Sequence, residues 1–215
     1  MKVNCINLWE NKPRRIFMRK QFEEQKIDHN FFKAINGKKM TIQEFYDNGY
    51  INEEIYSSFK KGKIKIHKPS FACAFSHLQV WKDFLEDESD EDKLLVFEDD
   101  FKLTNDFKVK LNEYLKNTPE NWDFLYFDYN MFVGKKLNKY WGIPKNNPGL
   151  KKNAFLSCYV INKSGCKKLL DLMYPYKQNT CIDSIMRRHF DKFNAYFALK
   201  RLGHQNTSFL SDRIQ

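Results

Sequence analysis

The chain has 215 residues, of which 42% are hydrophobic and 30% charged, and its formal net charge is +10. This length suits a single domain with a sizeable core, or at most two small ones. No apolar stretch approaches membrane-spanning length and the N-terminus lacks a secretory hydrophobic region, so we expect no integral membrane segment, with peripheral association left open. The excess charge comes mostly from Lys spread along the chain, without an aromatic and basic binding motif, so no nucleic-acid partner is expected.

The five cysteines are odd in number, scattered, and contain no C-x-x-C pair. Free thiols in a reducing compartment fit this pattern better than disulfides or a zinc site. The sequence therefore predicts a cytoplasmic protein with free cysteines at positions 5, 73, 158, 166 and 181.

The first half of the chain alternates between strand and helix patterns. Pro13 opens an amphipathic segment, and Ser70 after Pro69 is a predicted helix cap. Residues 38–68 are polar and aromatic, which predicts a surface excursion with one or two short helices. The predicted elements are a strand at 3–8, a helix from 13 to about 26, a strand at 31–35, a helix from 70 to about 86 and a strand at 94–97.

The second half continues the alternation around one long aperiodic segment, residues 129–152, which predicts a functional loop such as a lid or an acceptor-binding loop. Together the patterns predict one α/β domain over residues 1–215, with a mostly parallel central sheet flanked by helices. The predicted elements are a helix from about 105 to 116, strands at 124–127 and 155–161, helices at 164–173 and 181–190, and a strand at 196–199.

The apolar run LLVF at 94–97 leads directly into three carboxylates, Glu98, Asp99 and Asp100. A short unbroken apolar run is typical of a strand buried on both faces, and ligands of open α/β sheets collect at the carboxyl ends of such strands. Three carboxylates there would suit Mg²⁺ or Mn²⁺ carrying a phosphate group. A solvated acidic turn is the alternative, because further acids lie just upstream at 86–92.

Polar residues also close three other predicted strands, namely Asn7, Asn36 and Asp128. Each is weak evidence alone, because polar residues commonly end strands for reasons of turn geometry. Their convergence at one edge of a sheet is what a nucleotide-binding crevice needs.

Several short motifs occur in order along the chain. They are I-N-L at 6–8 with Arg14-Arg15, A-I-N-G at 34–37, A-C-A-F-S-H-L-Q-V-W at 72–81, L-V-F-E-D-D at 95–100, Y-V-I at 159–161 with G-C-K-K-L-L at 165–170, Asp183, and Ser211-Asp212 with Ile214. This series resembles glycosyltransferase family 25, which includes bacterial lipooligosaccharide galactosyltransferases and collagen hydroxylysine galactosyltransferases. Ala72 departs from the family's usual Gly, and Ser70 stands where an acid is common.

The resemblance implies a GT-A-like nucleotide-sugar-binding domain. It further implies inverting, metal-dependent transfer of a hexose, commonly galactose, from a UDP-sugar to a glycan or protein acceptor, with Mn²⁺ or Mg²⁺. Asp100 is then the expected direct metal ligand, and Glu98 contacts the ribose, the metal or a metal-bound water. Asp99 would support them through hydrogen bonds, and Asn7 and Asn36 are candidate cofactor-binding residues. Arg14 either adds positive charge near the diphosphate or is a solvated residue of a helix's first turn.

Inversion needs a base that takes the proton of the acceptor hydroxyl. Asp183 is the first candidate by its family position, although Thr180 and Asp183 also fit a capping box, and Asp128 is the second candidate or a donor-sugar contact. His77 is either a satisfied core histidine or a donor-pocket residue. His204 either completes metal coordination or lies on the surface.

Three other functions compete with sugar transfer. A glycoside hydrolase would use two facing carboxylates and normally neither metal nor nucleotide. A non-catalytic nucleotide-sugar or carbohydrate binder would keep the fold without turnover. A nucleic-acid binder would bind DNA or RNA with steep salt dependence.

Overall fold

Ten strands and seven helices form the part of the chain that the computed structural model describes, which comprises residues 1–65, 67–149 and 152–209. The S-D and Ile214 motif near the C-terminus lies outside these residues. In chain order the elements are β1 (Lys2–Asn7), α1 (Lys12–Glu24), β2 (Asn30–Lys33), α2 (Ile42–Asp47), α3 (Glu53–Lys60), α4 (Lys68–Glu86), β3 (Lys93–Glu98), β4 (Phe101–Leu103), α5 (Phe107–Lys116), β5 (Phe124–Tyr126), β6 (Gly134–Lys136), β7 (Trp141–Pro144), β8 (Cys158–Asn162), α6 (Lys163–Met173), α7 (Ile182–Arg188), β9 (Ala195–Ala198) and β10 (Gly203–Gln205).

Eight of these strands form one mixed sheet in the order β2-β1-β3-β8-β5-β9-β7-β6. The pairs β1–β2, β1–β3 and β5–β9 are parallel, and the pairs that involve β8 or β7 are antiparallel. Only β8 and β7 therefore run against the other six strands. This arrangement confirms the predicted α/β class with a mostly parallel sheet.

Helices cover both faces of this sheet. Helix α4 lies on one face, where Phe75 and Trp81 are fully buried, because its apolar residues recur around most of its circumference. On the other face, Phe22 of α1 and Phe107 of α5 pack around Phe97 of β3, with ring centroids 5.1 and 5.5 Å away. None of the helices in the described residues has the length and apolarity that crossing a bilayer requires.

The segment at 38–68, expected as a surface excursion, contains α2 and α3 and is anchored in the core. Phe45 of α2 is fully buried, with its ring centroid 5.3 Å from that of Phe75, and Ile51 forms an isolated bridge with Tyr176. The segment at 129–152 holds the antiparallel pair β6–β7, where Trp141 is fully buried and donates from its indole N–H to the carbonyl of Asn117. Both segments thus contribute to the core.

Helix α4 begins earlier than the sequence predicts. Its N-cap is His67 rather than Ser70, and Ser70 lies in the first turn, where its hydroxyl is 2.9 Å from His67 Nδ1. Pro69 occupies the first turn, a position in which its missing N–H leaves no helical hydrogen bond unmade. The predicted cap at Ser70 is therefore wrong by one turn.

Candidate functional site

A cleft of about 900 Å³ opens beside the carboxyl ends of β1 and β3. The chain's own topology accounts for it, because parallel strands present their following loops at the same edge of a sheet. The loop after β1, the 34–38 turn, α4 and the start of α7 form its walls. The polar side chains that line it include Glu10, Asn11, Arg14, Asn36, Ser70, Ser76, Glu98, Asp99, Asp100, Asp183, Gln205 and Asn206.

The three predicted carboxylates form the acidic corner of this cleft. Glu98 is the last residue of β3, and Asp99 and Asp100 form the turn that leads into β4. The side chains of Glu98 and Asp100 are 16 and 17% exposed, whereas that of Asp99 is 9% exposed. The backbone N–H of Asn206 donates to the carbonyl of Asp100 at 2.7 Å, which ties the chain after β10 to this turn.

Asp99 is held by two buried donors. Asn7 Nδ2 donates to Oδ2 at 2.6 Å, and Arg14 Nη1 donates to Oδ1 at 2.7 Å. The same guanidinium nitrogen lies 3.6 Å from Asp100 Oδ2, so Arg14 sits between two carboxylates with its side chain only 6% exposed. Such charge-assisted bonds fix the orientation of the Asp99 carboxylate beside Asp100. Support of the metal ligands by Asp99 stays a prediction.

Asn7, the last residue of β1, is 1% exposed and lies behind the cleft wall. Its Oδ1 accepts a hydrogen bond from Arg15 Nη1 at 2.7 Å, and the Arg15 guanidinium stacks over the Trp9 ring at 4.3 Å. Both amide atoms are thus engaged by protein. The geometry gives Asn7 a positioning role toward Asp99, and Asn36 lines the cleft directly.

A chain of hydrogen bonds runs from the buried helix α4 to Glu98. Trp81 Nε1 donates to the Tyr159 hydroxyl at 2.9 Å, and that hydroxyl lies 2.8 Å from His77 Nδ1. An indole N–H can only donate, so the Tyr159 hydroxyl accepts from Trp81. His77 Nε2 lies 3.3 Å from Glu98 Oε1, and because a carboxylate can only accept, Nε2 donates there and Nδ1 faces the Tyr159 hydroxyl.

His77 is therefore a buried residue, 1% exposed, that donates to a cleft carboxylate. This placement favours the core-histidine alternative, with an added orienting role toward Glu98 that the sequence pattern did not reveal. Burial raises the pKa of the Tyr159 hydroxyl well above its ordinary value, so it stays protonated as this arrangement requires.

Asp183 lies in the first turn of α7 and lines the cleft. The N-cap of this helix is Cys181, which makes no side-chain capping bond, so the alternative capping box with Thr180 is not formed. Within the described residues no hydrogen bond or ion pair to the Asp183 carboxylate is present. The side chain is half-buried and accessible from the cleft.

The structure does not bring Asp128 and His204 to the cleft. Asp128 follows β5 and is 1% exposed, with Oδ2 accepting from the Ser157 hydroxyl at 2.5 Å and Oδ1 accepting from the Tyr129 N–H at 2.9 Å. Burial raises the pKa of its carboxyl above the ordinary value, opposed by the Ser157 hydrogen bond and by the charge of Arg201. His204, on β10, is exposed.

Gln205 and Cys73 are cleft residues that the sequence analysis did not single out as site residues. Gln205 Nε2 lies 3.5 Å from Glu98 Oε2, and Cys73 Sγ lies 3.6 Å from Glu98 Oε1. The only available signal was the position of Cys73 one helical turn before His77, which places both side chains on one face of α4.

The donor set of the cleft fits a hard divalent cation. Glu98 and Asp100 both line the cleft, and carboxylate oxygens are the ligands that Mn²⁺ and Mg²⁺ prefer. Arg14 adds a fixed positive charge beside them, which suits an anionic ligand. His204 does not line this space.

A family model described as glycosyltransferase family 25 (LPS biosynthesis protein) matches residues 1–186, which hold β1 through most of α7 and all the cleft residues up to Asp183. The chain belongs to glycosyltransferase family 25. The acidic corner and the helix that carries His77 and Trp81 lie within the matched residues.

Curated family 25 relatives are longer than this chain. Human procollagen galactosyltransferase 2 is 26% identical over 196 residues, covering 89% of this chain and 30% of the relative. A glycosyltransferase 25 family member of Aedes aegypti is 24% identical over 172 residues, covering 79% of this chain and 28% of the relative. The chain thus spans less than a third of the length of these curated relatives.

One solved structure shares only a distant resemblance with the chain. It is a mutant of the Drosophila beta-1,4-galactosyltransferase 7 in complex with manganese, UDP-Gal and xylobiose. The alignment has a TM-score of 0.44 and 8% identity, and it covers 96% of this chain and 67% of the other. A superposition of this quality carries no inference about ligands.

Proposed function

We propose that the protein transfers a hexose, most simply galactose, from a UDP-sugar to a hydroxyl group of a glycan or protein acceptor, with inversion and with a divalent cation. Family membership supports sugar transfer, and the human relative, procollagen galactosyltransferase 2, supports galactose as the sugar. The observation that carries the proposal is that one cleft holds both a carboxylate pair suited to a cation and a separate carboxylate on another element, Asp183.

The acidic corner would hold the diphosphate end of the donor. A divalent cation bound by Asp100 and Glu98 would offset the negative charge that builds on the departing UDP. Asp99 and Arg14 keep the corner in shape, because their buried ion pair fixes the turn that carries Asp100. Arg14 also offers positive charge to the phosphates.

Asp183 is the proposed general base. Its carboxylate faces the cleft from the start of α7 and is not consumed by helix capping. In this mechanism it takes the proton of the acceptor hydroxyl as the hydroxyl oxygen attacks the anomeric carbon, while the bond from that carbon to UDP breaks. Attack from the face opposite UDP inverts the configuration.

The test compares Asp183→Asn with Asp171→Asn, a matched change on the exposed face of α6. Loss of a general base lowers turnover by about 10²–10⁴-fold. We expect that loss in Asp183→Asn, with unchanged binding of UDP in the presence of Mn²⁺, and full turnover in Asp171→Asn. The assay follows transfer from UDP-galactose and release of UDP, with and without Mn²⁺.

Several results would contradict the proposal. Full transfer by Asp183→Asn would remove the base assignment. Metal-dependent UDP binding without any turnover of a panel of UDP-sugars would indicate the non-catalytic binder instead. Hydrolysis of glycosides without nucleotide or metal would indicate a glycosidase.

A further inference from the structure

Three different metal-ligating atoms converge on the floor of the cleft. Cys73 Sγ, His77 Nε2 and a carboxylate oxygen of Glu98 all lie within 4.8 Å of one another. Cys73 and His77 are one turn apart on α4, and Glu98 faces them from the end of β3. A rigid buried helix and a central strand therefore fix the spacing of the three groups.

The two distances to the Glu98 oxygen match those of a tetrahedral metal site. With zinc bond lengths of about 2.3 Å to sulfur and about 2.1 Å to nitrogen or oxygen, tetrahedral angles place sulfur about 3.6 Å and nitrogen about 3.4 Å from the oxygen. The observed distances to Glu98 Oε1 are 3.6 Å from Cys73 Sγ and 3.3 Å from His77 Nε2. Both distances to Glu98 Oε1 thus fit tetrahedral coordination, and the third separation, from Cys73 Sγ to His77 Nε2, is below 4.8 Å.

We propose that Cys73, His77 and Glu98 bind Zn²⁺, with the fourth coordination position open to the cleft. A thiolate and an imidazole select a softer ion than the oxygen ligands that suit Mn²⁺. The Tyr159 hydroxyl at His77 Nδ1 is the kind of outer partner that orients a metal-bound imidazole. Cys73 and Glu98 both line the cleft, so the ion has an entry path.

Binding exchanges protons for the metal ion. The Cys73 thiol loses its proton to solvent, and the imidazole hydrogen moves from Nε2 to Nδ1, where it donates to the Tyr159 oxygen. One proton is released for each ion bound.

The consequence for activity rests on the proposed function. Glu98 belongs both to this site and to the acidic corner, where it is a proposed Mn²⁺ ligand together with Asp100. When the Glu98 carboxylate binds Zn²⁺, it is no longer oriented to bind Mn²⁺. Zn²⁺ is therefore an inhibitor that competes with the catalytic cation, and the cleft distinguishes the two ions by which side of Glu98 they occupy.

The first experiment uses the whole purified protein, free of metal and nucleotide, with a phosphine reductant. Co²⁺ serves as a spectroscopic substitute for Zn²⁺, and a thiolate-to-cobalt charge-transfer band reports sulfur ligation. We expect one Co²⁺ per chain, a band that Zn²⁺ abolishes and Mn²⁺ does not, and at least tenfold weaker binding without the band in Cys73→Ser. Cys181→Ser is the matched control, because Cys181 lines the same cleft outside the cluster, and it should keep the band.

Absence of the band in the wild-type protein would overturn the zinc site, as would an unchanged band in Cys73→Ser. The remaining cysteines, Cys5, Cys158 and Cys166, are buried and do not line the cleft. Circular dichroism of the Cys73→Ser protein checks that it is folded, and Cys73→Ala replaces it if it is not.

The second experiment measures inhibition of Mn²⁺-dependent donor turnover by Zn²⁺. Each protein's rate is expressed relative to its own rate without zinc. On this scale, Cys73→Ser should raise the zinc concentration that halves the rate at least tenfold above the wild-type value. Excess Mn²⁺ should relieve inhibition in the wild type. Zinc binding without inhibition would contradict the competition, whereas a protein that binds Co²⁺ but turns over no UDP-sugar would contradict only the proposed function.

Discussion

Replacing Asp99 with Asn tests whether the buried pair behind the acidic corner holds the corner together. The Asp99 and Arg14 side chains are 9 and 6% exposed, and the carboxylate accepts from Arg14 and Asn7 at 2.7 and 2.6 Å. An Asn side chain has one acceptor, so its NH₂ group must face a donor. Rotating the Asn7 amide would not supply the missing acceptor without cost, because its oxygen already accepts a hydrogen bond from Arg15.

Removing one partner of a buried ion pair costs about 3–5 kcal/mol. Asp100 Oδ2, 3.6 Å from Arg14 Nη1, still offers counter-charge, so we expect the lower end, about 3 kcal/mol. For a chain of this length that corresponds to a fall in Tm of about 6–12 °C. This loss of stability arises from contacts within the folded protein, so we expect it in the absence of metal and nucleotide.

Urea unfolding at neutral pH measures this change, and Asp92→Asn is the control. Asp92 pairs with Lys93 at 2.6 Å, but its side chain is 72% exposed, so its loss changes stability by less than about 1 kcal/mol. In an Arg14→Gln background the Asp99→Asn change should cost less, because the buried cation is gone. Equal unfolding free energies for Asp99→Asn and Asp92→Asn would show that the buried pair stabilises the fold no more than the exposed pair does.

Three further changes probe other parts of the molecule. Asp128→Asn should gain stability relative to the wild type as the pH rises from about 4 to about 7. The raised pKa of Asp128 means that the folded wild-type protein binds this proton more tightly than the unfolded chain does, so the wild type loses stability as the proton is released. A difference between the two urea midpoints that is the same at both pH values would contradict this. Tyr159→Phe leaves the buried Trp81 N–H without its acceptor and should lower the free energy of unfolding by about 1–3 kcal/mol. Tyr126→Phe loses only a 3.8 Å contact to sulfur and should lower it by less than about 1 kcal/mol. The reverse order in urea unfolding would contradict the hydrogen-bond chain. Gly37→Ala places a Cβ 2.5 Å from a carbonyl oxygen at the start of α4 and should lower the free energy of unfolding by about 1–3 kcal/mol. Thermal unfolding measures this change, and an unchanged Tm would show that the backbone moves away from the new Cβ at no cost.

Local patterns were sufficient to predict the elements that position the site. The unbroken apolar run at 94–97 and the helical spacing of Phe75, Leu78 and Trp81 identify β3 and α4, because burial on both sides leaves few polar positions in either. The acids that follow β3 lie in the cleft as the strand-end rule predicts.

The sequence patterns predict neither the direction of a strand nor the pairing of very short strands. The run at 158–162 is apolar whichever way it points, so its antiparallel insertion between β3 and β5 could not be predicted. Strands β4, β6 and β10 have three residues each, too few for an alternating pattern to be recognised. β6 and β7 therefore remained within a predicted loop.

The same limits explain which site residues the structure brings together. Asp128 follows β5, which is separated from β3 by β8, and its carboxylate accepts from the Ser157 hydroxyl instead of lining the cleft. On β10, successive side chains point to opposite sides, and Gln205 lines the cleft while the adjacent His204 is exposed. A one-residue offset of this kind cannot be read from composition.

The place of β8 in the sheet also bears on how the nascent chain matures. Leu95 of β3 pairs with Val160, and Leu125 of β5 pairs with the same residue from the other side. A ribosome-bound chain that ends before residue 158 therefore presents two apolar strand edges with nothing between them, and such edges invite pairing with other chains. Pairing of the five residues of β8, Cys158 to Asn162, fills both of these edges.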